Sequence, residues 1–167
     1  KIDSYAFSGC SNLENLKLPS SVTSIGSYAF RDCTSLSSIN IPSGVIIIGN
    51  YAFQNCTSLT SVTIAESVTN IGGYAFYECT NLLNVIINGD SNDCLSIGDY
   101  TFTNCTNLTS VIVNATTPPK LVGSGTVTPS GVHITHAFDN TNNCPIYVPA
   151  ASVEAYKAAE NWSRYAS

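Results

Sequence analysis

The sequence predicts a β-rich solenoid. It is a stack of coils of about 23 residues whose short strands line up in a parallel sheet, closed by a helix at the C-terminal end. Three observations lead there. Cys10, Cys33, Cys56 and Cys79 recur every 23 residues, and Cys105 follows after 26. Most of the apolar residues keep the same interval. Finally, 44% of the 167 residues are hydrophobic and 10% charged, so the chain has ample surface to bury and is not a disordered tail.

Each element of that architecture follows from the columns. Ile2, Ile25, Ile48, Ile71 and Ile97 share one. Tyr5, Tyr28, Tyr51, Tyr74 and Tyr100 share the next, followed by Phe7, Phe30, Phe53, Phe76 and Phe102. After the cysteines come Leu13, Leu36, Leu59, Leu82 and Leu108, then Leu16, Ile39, Val62, Val85, Val111 and Leu18, Ile41, Ile64, Ile87, Val113. The unit reads I-x-x-Y-[AT]-F-x-x-C-x-x-L-x-x-[LIV]-x-[LIV]. Its L-x-x-L-x-L-like core at this period predicts a right-handed leucine-rich-repeat solenoid. One unit cannot bury its own apolar face, so neighbouring coils must share a core.

The alternation in Leu36-x-x-Ile39-x-Ile41 predicts a strand, and Pro19 and Pro42 end the first two such strands. A second extended stretch is expected at 22–25, 45–48 and 68–71. Gly26, Gly49, Gly72 and Gly98 suit either a positive φ or a close backbone approach. The cysteine column is expected to pack as small buried hydrophobes. Disulfides along it are disfavoured, because parallel Cβ vectors do not close to bonding distance.

The string I-G-x-Y-A-F-x-x-C-T-x-L-x-x-[IV]-x-I closely resembles the BspA-type leucine-rich repeats of surface proteins from anaerobic oral and gut bacteria, over roughly residues 2–115. The tail Cys144-Pro-Ile-Tyr-Val-Pro-Ala-Ala-Ser-Val-Glu-Ala-Tyr-Lys resembles the ending such proteins carry. The resemblance implies an exported, cell-surface or secreted bacterial protein. Some relatives act as adhesins for host matrix proteins or for other bacteria.

Three segments follow: 1–115 with five leucine-rich repeats, 116–149 with a long loop and a final irregular coil or strand, and 150–167 with a capping helix and tail. Within the second, 116–135 reads as loop and Pro145 to Pro149 as a last strand. In the third, Ser152 is the expected N-cap, with Val153, Tyr156 and Trp162 laid over the last coil. The N-terminal end shows no cap for Ile2, Phe7 and Leu13, and no signal sequence. The native protein is therefore expected to extend upstream.

Chemistry is sparse. Asp90, Asn92, Asp93 and Asp99 admit a calcium site or a solvated turn, and the spacing of a calcium loop is not met. His133 and His136 with Asp139 invite a metal reading. On a strand, however, residues three apart project to opposite faces. No G-x-S-x-G elbow, P-loop or dinucleotide fingerprint is present. The expectation is no enzyme, no cofactor and no metal. Six basic residues and a net charge of −5 argue against nucleic acid, and no apolar run reaches the length of a membrane span.

A binding surface is more legible. The strand residues expected to face outward are Asn15, Lys17, Ser38, Asn40, Ser61, Thr63, Asn84, Ile86, Ser110 and Ile112. Ile86 and Ile112 read either as β-branched strand formers or as an apolar contact patch with a polar rim. Ile46 and Ile47 stand where neighbouring coils carry Thr and Ser or Asn. The tyrosine column reads either as a self-packing ladder or as an aromatic surface for a glycan or protein. The expected role is adhesion to a protein ligand. Glycan binding and a passive spacer within a larger surface protein are the alternatives, and the oligomeric state is left open.

Overall fold

The computed structural model describes residues 1–89, 95–123 and 136–165. In chain order the strands are β1 (Asn15–Lys17), β2 (Ser24–Ile25), β3 (Ser38–Asn40), β4 (Ile47–Ile48), β5 (Ser61–Ile64), β6 (Asn70–Ile71), β7 (Asn84–Ile87), β8 (Ser96–Gly98), β9 (Ser110–Val113), β10 (Lys120–Val122) and β11 (Ile146–Tyr147). The helix α1 (Val153–Ala158) follows, entered from a 3-10 turn at Ala150–Ser152. Even-numbered strands form one parallel sheet, ordered β2-β4-β6-β8-β10. Odd-numbered strands form the other, divided into a β1-β3 pair and a β5-β7-β9-β11 sheet. Register follows the sequence columns: Leu16 faces Ile39, and Val62, Val85, Val111 and Ile146 are successive partners.

The third side of each coil is the Tyr-Ala-Phe-x-x-Cys arc. It is neither strand nor helix, and its backbone bonds alternate. Ala29, Arg31 and Cys33 N–H donate within the coil to Gly26, Tyr28 and Phe30. Tyr28, Phe30 and Asp32 N–H donate to Asn50, Ala52 and Gln54 of the next coil. Every second amide thus ties neighbouring coils together. The arc puts all five tyrosines of the column in the left-handed region, with φ from 57° to 62°. A bulky side chain there costs on the order of 1 kcal/mol or more. The inter-coil bonds and the ring stack offset it.

Inside the arc, the phenylalanines form a continuous row. Phe7, Phe30, Phe53, Phe76, Phe102 and Phe138 stack with centroids 5.1–5.3 Å apart and planes within 9°. Phe30 through Phe102 are fully buried. From Cys33 to Cys105 the cysteine column is buried as expected, whereas Cys10 in the first coil is exposed, and the structure adds a role that packing alone does not supply. The thiols of Cys33, Cys56, Cys79 and Cys105 donate to the carbonyls of Phe7, Phe30, Phe53 and Phe76, one coil back, at 3.1–3.2 Å. The described cysteines are free. Burial pushes the Cys33 thiol up to about 11 and Cys105 to about 12.

The glycine column works by close approach, not by a positive φ. A Cβ on Gly49 would lie 2.5 Å from Ser27 N, and one on Gly98 2.4 Å from Gly73 N.

Two expectations are corrected and a third holds only in part. Within the span read as loop, Lys120–Val122 is β10 and pairs with β8. Ser152 stands at the N-cap of α1, as expected, but its side chain makes no cap bond. The chain is already turning through the 3-10 segment, so Ser152 lacks the extended backbone that lets a cap oxygen reach back. His136 and Asp139 do meet, with Nδ1 2.6 Å from Oδ2, because 136–139 is a turn and not a strand. Among the described residues no third His, Cys, Asp or Glu joins them in a metal-sized group. His133, Cys94, Asp90, Asn92 and Asp93 lie outside the described residues.

Candidate functional site

The outward face of the odd-numbered strands carries all ten residues singled out from sequence. Its columns differ in chemistry. In one, Asn15 partners Ser38, and Ser61, Asn84 and Ser110 are successive partners. Side-chain bonds run along this column: Ser38 Oγ donates to Asn15 Oδ1 at 3.1 Å, and Ser110 Oγ to Asn84 Oδ1 at 2.8 Å. These bonds engage the amide oxygens of Asn15 and Asn84 within the sheet.

The neighbouring column runs from Lys17 and Asn40 to Thr63, Ile86, Ile112 and Tyr147. It begins polar and ends as an apolar stripe, with Ile112 at 37% and Tyr147 at 55% exposure. At the usual strand spacing, Ile86 to Tyr147 spans about 10 Å. Tyr147 was not singled out from sequence. The signal was available in the register that continues Ile86 and Ile112 into the last strand.

Beyond Tyr147 the stripe meets a cavity of about 300 Å³ between β11 and α1, lined by Val148, Val153, Tyr156, Trp162 and Tyr165 among others. The aromatic polar tips point away from it. Tyr156 Oη donates to Ala115 O at 2.8 Å, and Trp162 Nε1 to Pro119 O at 2.6 Å. Burial raises the Tyr156 phenol well above its ordinary range and holds that of Tyr165 at about 12. The stripe and cavity together are an apolar, aromatic-ended surface on an otherwise polar sheet.

The tyrosine column packs on itself. Ring centroids lie 4.7–4.8 Å apart from Tyr5 to Tyr100, and His136 continues the stack at 5.0 Å. The faces of the inner rings are therefore covered, leaving their edges to solvent. Where His136 enters, the buried Asp99 carboxylate accepts the N–H of His136 at 2.7 Å and of Tyr100 at 3.1 Å. Asp99 thereby satisfies amides at the point where the coil spacing is irregular. Asp139 links this coil to the C-terminal segment, accepting from Tyr165 Oη at 3.2 Å with Arg164 at 3.7 Å. Ile46 and Ile47 are about half exposed on the opposite side.

Stacked parallel coils, an internal aromatic row and a side-chain map on the outer strands define a leucine-rich-repeat solenoid of the kind that presents a surface. Residues 1–118 match six copies of the BspA type leucine rich repeat region, and the chain belongs to that family. No match is found among curated proteins.

Among solved structures it is similar to a leucine-rich-repeat protein of T. pallidum. The identity is 29% and the TM-score 0.68, over 88% of this chain and 61% of that one. A leucine-rich-repeat protein from Bacteroides ovatus ATCC 8483 is 28% identical, with a TM-score of 0.59, over 72% and 36%. A leucine rich cell surface protein from Faecalibacterium prausnitzii A2-165 shares the fold at 24% identity and a TM-score of 0.53, over 87% and 44%. The chain thus spans less than two thirds of each of these proteins. No helix among the described residues is long and apolar enough to cross a membrane.

Proposed function

We propose that this chain is a non-enzymatic, cell-surface or secreted adhesion module that binds a protein ligand through the outer face of β5, β7, β9 and β11. The observation that carries the reading is the in-register stripe of Ile86, Ile112 and Tyr147, half-buried at Ile86 and exposed at Ile112 and Tyr147, beside a polar column in which Ser38 bonds Asn15 and Ser110 bonds Asn84. A small apolar centre with a polar rim, rigidly held on strands, is the arrangement of a protein contact. Family membership supports recognition as the general role. A matrix protein of the host is the ligand class proposed.

The test is surface-based binding to a panel of matrix proteins. Parent protein is compared with Ile112→Asp, Tyr147→Ser and a control, Ser38→Lys, on the polar early coils. The expected result is saturable binding to at least one protein, at least tenfold weaker in the first two variants and little changed in the control. Equal binding by all four removes the stripe as the site. No binding to any panel member leaves the spacer role as the better reading.

A further inference from the structure

A second concavity lies on the other side of the molecule, between the even-numbered sheet and the tyrosine arc, with a volume of about 480 Å³. It arises from one residue. The position before each column tyrosine is Ser4, Ser27, Asn50, Gly73 and Asp99 in successive coils. Gly73 has no side chain there, so a gap opens between Asn50 and Asp99. The volume falls in the range of about 300–1,000 Å³ usual for small-ligand sites.

The chemistry around the gap is specific in what it offers. Tyr51 and Tyr74 form one wall with their ring edges, since their faces are stacked on each other at 4.8 Å. Asn50 Oδ1 accepts the Gly73 N–H at 2.9 Å, which leaves the two donors of its amide NH2. Asn70 Nδ2 donates to Ser96 Oγ at 2.9 Å, which leaves Asn70 Oδ1 as an acceptor. Val122, 42% exposed, supplies an apolar contact at the end.

The backbone around it is already committed. Gly72 N–H donates to Ile48 O, Tyr51 N–H to Gly73 O and Tyr74 N–H to Asp99 O, at 2.8–3.0 Å. Those three amides are therefore not available to a peptide main chain. Among the described residues no lysine, arginine or histidine lines the gap, and its one carboxylate, Asp99, is 3% exposed and holds two backbone amides. Among the described residues a phosphate, sulfate or uronate meets no counter-charge here. What remains is amide and hydroxyl groups beside aromatic edges and one aliphatic contact.

We propose that this groove is a binding site for a short neutral oligosaccharide, separate from the protein-contact stripe. Hydroxyls of the sugar bond to the Asn50 amide and Asn70 carbonyl, and an apolar face of the ring lies against Val122. With no ring face to stack on, binding is in the millimolar range.

The experiment titrates maltotetraose, cellotetraose and mannotetraose into the protein, followed by saturation-transfer NMR. Two variants isolate the groove. Gly73→Asn fills the gap with the residue the preceding coil carries. An added Cβ there lies 3.1 Å from Asp99 O, so a small shift accommodates it, and urea unfolding verifies the fold. Asn70→Ala removes an acceptor from an exposed position without filling anything. The expected result is binding of at least one tetrasaccharide, lost in Gly73→Asn and weakened about tenfold in Asn70→Ala, the effect of one lost hydrogen bond. Ile112→Asp leaves it unchanged. The proposal is overturned if no neutral tetrasaccharide binds at millimolar concentration. It is equally overturned if neither groove variant matters, or if a sulfated sugar or an extended peptide competes better.

Discussion

Replacing Phe53 with alanine in the middle of the aromatic row isolates what coil stacking contributes. Phe53 is fully buried, with Phe30 and Phe76 each 5.1 Å away and within 7° of parallel. Deleting a buried phenylalanine costs about 3–5 kcal/mol through lost transfer energy and the cavity left behind. The two stacked contacts, at about 0.5–1.5 kcal/mol each, place this site at the upper end, about 4–5 kcal/mol. Phe7 has one stacking neighbour and is only partly buried, so Phe7→Ala should cost about 1–2 kcal/mol. A domain of this size holds about 5–15 kcal/mol in all, so the first change consumes a large share and the second does not.

The assay is urea unfolding followed by far-UV circular dichroism and by fluorescence of Trp162, the single tryptophan, which packs near Phe138 and Tyr156. Because each coil contacts mainly its neighbours, Phe53→Ala should also separate the two signals, the C-terminal end melting apart from the rest. Equal losses at Phe53 and Phe7, or a loss below about 1.5 kcal/mol at Phe53, would refute the reasoning.

Other expectations concern separate parts of the stack. Gly49→Ala forces a Cβ to within 2.5 Å of Ser27 N, and should cost about 3 kcal/mol in urea unfolding. Asp99→Ala strands the amides of Tyr100 and His136, and should cost about 2–4 kcal/mol and red-shift Trp162 emission as the C-terminal end loosens. The thiols should divide by depth: a thiol reagent modifies exposed Cys10 at once and Cys33, Cys56, Cys79 and Cys105 only on unfolding. Their pH effect has a definite sign. Unfolded thiols ionise near 9.0 while the native state holds Cys33 to about 11 and Cys105 to about 12. The native state therefore binds more protons above pH 9, and stability should fall from there as pH rises through the native values.

The repeat was legible because few architectures besides a stack of coils place apolar columns at a fixed period of this length. The strand registers, the phenylalanine row and the buried cysteines follow from it. Other features rest on interactions that side-chain pattern does not record. A tyrosine at φ near 60° contradicts its own backbone preference and is held there by the acceptor of its amide, a carbonyl of the next coil for Tyr5 to Tyr74 and the Asp99 carboxylate for Tyr100. The thiol donors are invisible for the same reason, since their acceptors are carbonyls one coil away. Lys120–Val122 is too short and too close to Pro118 and Pro119 to stand out as a strand, and it forms because β8 offers a free edge. On the candidate surface, Ile86 and Ile112 were legible as outward-facing, whereas Tyr147 required the register of β11. The groove at Gly73 depends on an absent side chain, which a column alignment marks only as one more glycine.

Cross-coil proximity of the aromatic rings is the most direct measure of the stack on which both surfaces are built. With phenylalanine ring protons assigned by selective labelling, nuclear Overhauser contacts should connect Phe7 to Phe30, Phe30 to Phe53, Phe53 to Phe76, Phe76 to Phe102 and Phe102 to Phe138, and skip no step. Rings in contact with unrelated side chains, and silent toward the ring one coil on, would contradict the stack and both surfaces with it.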